Sequence, residues 1–317
     1  MLNAMKKWSA ELRNDALALR NRRMLAKAIA CGMLALLIAG LVPLPAEAMP
    51  RRVAVRTGVT VRSNDKASVD ISNLAEGFVI VRYTGGRNVS IKAQVTKRDG
   101  VSYTYDINNR GNPEVIPLTE GNGRYTVVIF ENIQDNRFAQ AFNVSLDLTL
   151  RNEFLPFLYP NQYVNFREPS PVAEKAAELA KGKDTQLATL QEIYHFVVGE
   201  LTYDTDLAKN VRPGYIPDVN AVLERKKGIC FDYAALMASM LRLQGIPCKL
   251  VIGYAGSLYH AWINVYIEDI GWIDRAIFFD GERWSLMDPT FVSTSRSANA
   301  VSQFVGEGND YTQKYAY

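Results

Sequence analysis

The sequence predicts an α+β protein in which an all-β, immunoglobulin-like sandwich over residues 50–151 precedes a mixed helix-and-strand domain over 165–317. Three observations carry this. Short runs of alternating apolar and polar residues fill the region between Arg52 and Leu150. Apolar spacing turns helical from Val172 onward. After Gly245 and Pro247 the pattern changes again, to a continuous apolar run and then an alternating one.

Before the first strands, Arg20, Arg22, Arg23 and Lys27 precede an apolar run from Ala28 to Val42, and Ala46-Glu47-Ala48 offers a small-residue cleavage site. Residues 1–48 are therefore read as a signal peptide or an uncleaved anchor. The predicted localisation is secreted or cell-envelope associated, with membrane attachment only if the segment is retained. The strand runs are Val59 to Arg62, Gly77 to Tyr83, Val89 to Thr96, Val101 to Ile107, Arg124 to Phe130 and Gln140 to Leu150. Gly85-Gly86, Asp99-Gly100 and Gly121-Asn122-Gly123 separate them as turns. About seven short strands in a hundred residues fit a two-sheet sandwich. It holds no cysteine, so an inter-sheet disulfide is excluded. Its expected tasks are positioning the second domain, binding a cell-envelope polymer or partner, or covering a cleft.

The segment from Arg151 to Pro171 mixes four prolines with Phe154, Phe157 and Tyr159 and is expected to pack rather than hang free. Helices are predicted over Val172 to Ala180, over Gln186 to Gly199, and after a cap at Asp218 through Lys226. Another begins near Cys230, with Ala234, Met237, Ala238 and Leu241 on one face. Strands are expected at Lys249 to Tyr254, at His260 to Ile267 and at Trp284 to Met287.

Chemistry enters with three fragments: Gly228-Ile229-Cys230-Phe231-Asp232, His260-Ala261-Trp262 and Met287-Asp288-Pro289-Thr290. They supply a thiol, a base and a carboxylate in one order, 30 and 28 residues apart. A free thiol, with a pKa of about 8.5, is only a few per cent thiolate at neutral pH and needs an imidazole to activate it. At a helix N-terminus the macrodipole and free amides would lower the Cys230 pKa to roughly 3.5–7.5. Those amides can also hold an oxyanion.

These blocks, together with Leu241 to Tyr254 and its Gly245-Ile246-Pro247, resemble the core of the transglutaminase-like superfamily over roughly 190–292. The resemblance implies a papain-like fold with Cys230 as nucleophile, His260 as general base and acid, and Asp288 as the carboxylate that orients it. Leu201-Thr202-Tyr203-Asp204 matches a Tyr-Asp pair that the family tends to place upstream, which implies that Tyr203 donates to the oxyanion; core packing is the other reading of that ring.

Other residues of the same types receive structural readings. Cys248 reads as a small buried hydrophobe. His195 lies in a helical stretch whose core face is Ile193, Phe196 and Val197, so it reads as a surface or structural residue. A Cys230–Cys248 disulfide is not expected, since a helix about 20 Å long separates the two. Charge excludes a nucleic-acid partner: residues 1–48 carry seven basic and three acidic side chains, leaving 29 basic against 30 acidic in the rest. Two histidines and no ligand spacing argue for no metal and no cofactor. The expected function is an exported cysteine hydrolase or transamidase acting on protein or peptide amides. The alternative is a catalytically silent binding or scaffold protein on the same fold.

Overall fold

The computed structural model describes Ala54 and residues 57–255, 257–279, 284–286 and 311–317; the leader over 1–48 and Asp288 lie outside the described residues. Alternation along the chain becomes eight N-terminal strands: β1 (Val61–Ser63), β2 (Ala67–Asp70), β3 (Phe78–Tyr83), β4 (Ile91–Lys97), β5 (Ser102–Ile107), β6 (Glu114–Pro117), β7 (Gly123–Gln134) and β8 (Arg137–Leu148). They make two antiparallel sheets, ordered β1-β2-β3-β6 and β5-β4-β7-β8. Period-two patterning explains the layering: on β5, Tyr103, Tyr105 and Ile107 are buried while Ser102, Thr104 and Asp106 face out. The buried faces of both sheets join one apolar cluster. Two strands, β2 and β6, add to the six runs read from the sequence. Each has only four residues, and β6 is a sheet edge ending at Pro117, where a missing N–H is tolerated.

The proline-rich segment is packed as expected, with Leu155, Phe157, Leu158, Val164 and Phe166 all buried. Four of the helices then begin at capping side chains. Ser170 accepts from the Ala173 amide ahead of α1 (Pro171–Ala180), and Thr185 accepts from the Ala188 amide ahead of α2 (Gln186–Glu200). A two-residue strand β9 (Thr202–Tyr203) and a short helix α3 (Thr205–Asn210), capped by Asp204, follow. Asp218 takes two amides, from Asn220 and Ala221, to start α4 (Val219–Arg225). Then come β10 (Lys227–Gly228) and α5 (Cys230–Leu243).

Helix α5 departs from the one-faced pattern anticipated for it. Every residue from Asp232 to Leu243 is buried, because α1, α2 and α4 pack around the helix together with the sheet behind it. That sheet is antiparallel and ordered β14-β13-β12-β11-β15, from β11 (Cys248–Ala255), β12 (Leu258–Ile267), β13 (Gly271–Phe279), β14 (Trp284–Leu286) and β15 (Tyr311–Ala316). The polar tail thus supplies an edge strand. Its last residue, Tyr317, exchanges two backbone hydrogen bonds with Leu250, at 2.8 and 2.9 Å.

Arg242 locks these parts together. Its side chain is 1% exposed and donates to the carbonyl oxygens of Cys248 at 3.0 and 2.7 Å, Tyr159 at 2.6 Å and Tyr317 at 2.7 Å. Burial pulls its pKa down to about 10, so it stays charged at neutral pH.

Candidate active site

Cys230 is the first residue of α5, where the chain turns from the extended backbone of Ile229 into the helix. The residue keeps partial solvent contact, whereas Cys248 is fully buried, and both are free thiols as expected. Burial is the largest influence on the Cys230 sulfur and pushes its pKa up. Backbone amides of Ala261 on β12 and Phe231 at the helix start pull the other way. The expectation of a thiol lowered by the helix terminus is therefore corrected. Desolvation of the charged form outweighs the amides in the resting protein.

His260 is the third residue of β12, not its first, and pairs with Gly253 on β11. Glycine is needed there: a Cβ at position 253 would collide with the Thr312 carbonyl of β15 and come within 2.9 Å of the Trp262 ring. The imidazole is 4% exposed, and burial pushes its pKa down to about 4. Thiol and imidazole are thus both neutral at pH 7. His195 is exposed on α2, in keeping with its structural reading.

Tyr203 is placed by a two-residue parallel pairing of β9 with β10, in which it sits beside Gly228. That register carries Tyr203 to Cys230. Desolvation raises the phenol pKa, while a hydrogen bond with the Cys230 backbone lowers it. Cys230, His260, Ala261 and Tyr203 line one cleft of about 600 Å³. Tyr163, Tyr215, Phe231, Tyr259 and Tyr317 add aromatic surface. Thr104 and Asp106 of β5 form part of the wall, so the N-terminal sheets reach the same cleft. Asp288, the third residue of the predicted set, lies outside the described residues.

Asp232 escaped the sequence reading, although its position did not hide it. A carboxylate three residues past a helix cap is the spacing that lets an acid reach back to the cap amide. It does so here, accepting from the Ile229 amide at 2.8 Å.

Residues 173–289 match the profile of the Transglutaminase-like superfamily. Human kyphoscoliosis peptidase is 28% identical over 137 residues, 39% of this chain and 18% of that protein. Protein-glutamine gamma-glutamyltransferase of Pseudomonas aeruginosa is 26% identical over 105 residues, 28% of this chain and 14% of the enzyme. The match thus spans less than a fifth of either relative's length. Among solved structures, a provisionally assigned cysteine protease of Cytophaga hutchinsonii aligns over 82% of this chain and 74% of its own, with 12% identity and a TM-score of 0.36. On the family match, the chain carries a transglutaminase-like domain over residues 173–289.

Proposed function

We propose that this protein is an exported thiol-dependent acyl-transfer enzyme, with the β-sheet region over 50–151 and the catalytic domain over 165–317. The observation that supports it most is the meeting of Cys230 and His260 on one cleft, with the Ala261 amide against the sulfur. Cys230 is the nucleophile, His260 the general base and acid, and Asp288 the carboxylate that orients the imidazole. Tyr203 and the first amides of α5 stabilise the oxyanion.

Because both groups rest neutral, attack and proton transfer go together. The sulfur adds to an amide carbonyl as its proton passes to His260, and the imidazolium then protonates the departing amine as the C–N bond breaks. The product is a thioester. Water resolves it in a hydrolase, and an amine resolves it in a transamidase. The names of the two relatives, a peptidase and a glutamyltransferase, span both outcomes.

For the N-terminal sheets we favour an immunoglobulin-type sandwich that walls the substrate cleft. Tyr125, near the start of β7, donates to the Gly121 carbonyl at 2.7 Å, the geometry of a tyrosine corner. Thr104 and Asp106 on β5 support the covering role.

Alkylation by iodoacetamide is the first test: Cys230 reacts far faster than Cys248, and the reaction collapses in His260→Ala. Equal, slow labelling of both thiols would instead favour the silent binding protein. Incubation with a protein mixture and a tagged primary amine then separates cleavage from incorporation.

A further inference from the structure

The carboxylate of Asp232 is more deeply placed and more elaborately held than a helix cap requires. Its side chain is fully buried, with Oδ2 accepting from the Ile229 amide at 2.8 Å and Oδ1 from the Tyr215 hydroxyl at 2.6 Å. Arg225 Nη2 stands 3.4 Å from Oδ1 and donates to the Tyr215 oxygen at 3.3 Å. Its Nε donates to the Lys227 carbonyl at 2.6 Å. Gly228 leaves the room: a Cβ there would sit 2.6 Å from the Asp232 Cβ and 2.8 Å from Oδ2. The capping aspartates of α3 and α4, Asp204 and Asp218, both keep solvent contact, so neither charge is desolvated as that of Asp232 is. Tyr215, meanwhile, lines the cleft.

We propose that Asp232 is a positioning residue for Cys230: it fixes the Ile229–Cys230 backbone, ties the cleft-wall segment Val211–Ile216 to the nucleophile through Tyr215, and keeps a negative charge beside the thiol. The proposal rests on the reading of Cys230 as nucleophile. Its electrostatic consequence is a brake, because a like charge disfavours the thiolate. The groups acting on the sulfur are Asp232 and the Phe231 amide from α5, Tyr203 from β9 and the Ala261 amide from β12, with His260 lining the same cleft. Those facing Asp232 are Tyr215, Arg225, Asp204 and Tyr233. Arg225 therefore counters the brake.

The test is the pH dependence of Cys230 carbamidomethylation, followed by mass spectrometry on the full chain, in wild type, Asp232→Asn and Arg225→Ala. In Asp232→Asn the inflection moves to lower pH by about half to one unit, and in Arg225→Ala it moves to higher pH by a similar amount. Loss of packing alone would not move the two in opposite directions. An unchanged inflection in either folded variant overturns the proposal and leaves Asp232 a helix cap. Should Asp232→Asn fail to fold, Arg225→Ala decides by itself, since that side chain is 41% exposed. Failure of wild-type Cys230 to react ahead of Cys248 at any pH removes the nucleophile reading and this proposal with it, whereas fast labelling with fixed inflections sinks this proposal only.

Discussion

Glu131 in the N-terminal sheets and Asp232 at the start of α5 are buried carboxylates with similar company and opposite acid–base behaviour. Glu131 accepts from Lys66 at 2.6 Å, Tyr83 at 2.7 Å and Arg87 at 3.3 Å, and the hydrogen bond from Lys66, then that from Tyr83, holds its pKa below the usual value. Asp232 also has a tyrosine at 2.6 Å and an arginine at 3.4 Å, but among the described residues no lysine stands against it as Lys66 does against Glu131, and desolvation pushes its pKa up. The difference is compensation. In the β-sheet region a buried charge is neutralised at contact distance and serves the fold. At the start of α5 a charge is left partly unbalanced, the pattern that marks a candidate functional site.

The largest expected effect sets the two regions apart by rate. On the proposed triad, Asp288→Asn slows acyl transfer on the order of 10⁴ without unfolding the chain. Glu131→Gln keeps the wild-type rate; slowing by Glu131→Gln would erase the distinction. Next comes Arg242, a buried cation with carbonyl partners. Arg242→Ala lowers unfolding free energy by about 3–5 kcal/mol in urea titrations, since it takes a charged donor from three backbone oxygens, of which that of Tyr317 keeps its bond from the Leu250 amide, and opens a cavity.

Acid sharpens the comparison further. His260 has a folded pKa depressed to about 4 from an ordinary 6.5, so the unfolded chain binds more protons between those values. Its contribution is fully present above pH 6.5 and lost as pH falls toward 4, by about 3 kcal/mol. Glu131 loses its stabilisation in a lower window, as pH drops below its ordinary 4.5 and through its depressed folded value. Asp232 has the opposite sign, because protonation relieves its burial. Urea titrations across pH in His260→Asn and Glu131→Gln should each flatten only their own window. The smallest effect is that of Glu131→Gln at neutral pH, about 1–3 kcal/mol, the cost of leaving donors around a buried site without their charged acceptor.

Much of this was readable along the chain. Helices announced themselves where a cap preceded a periodic run, as at Asp218, and strands where alternation ran six residues or more, as on β5 and β7. That Cys230 and His260 would share a cleft was legible from the residue types and their spacing alone. Short elements were not. The six residues of α3 hold too little pattern, and β15 is polar along most of its length. It is a strand because β11 offers it an unpaired edge.

Sequence alone determined most of the longer elements in their order, though not β13, the place of Cys230 at a helix start and the scarcity of alternatives to His260, since these follow from local periodicity and residue chemistry. Only the tertiary structure decided the protonation balance at the site, the reach of β5 into the cleft and the hydrogen-bond partners of Asp232 and Arg242. The reason is physical: desolvation and partner distance depend on what packs around a group, and residues 83 positions apart, such as Tyr159 and Arg242, become neighbours only when the chain has folded.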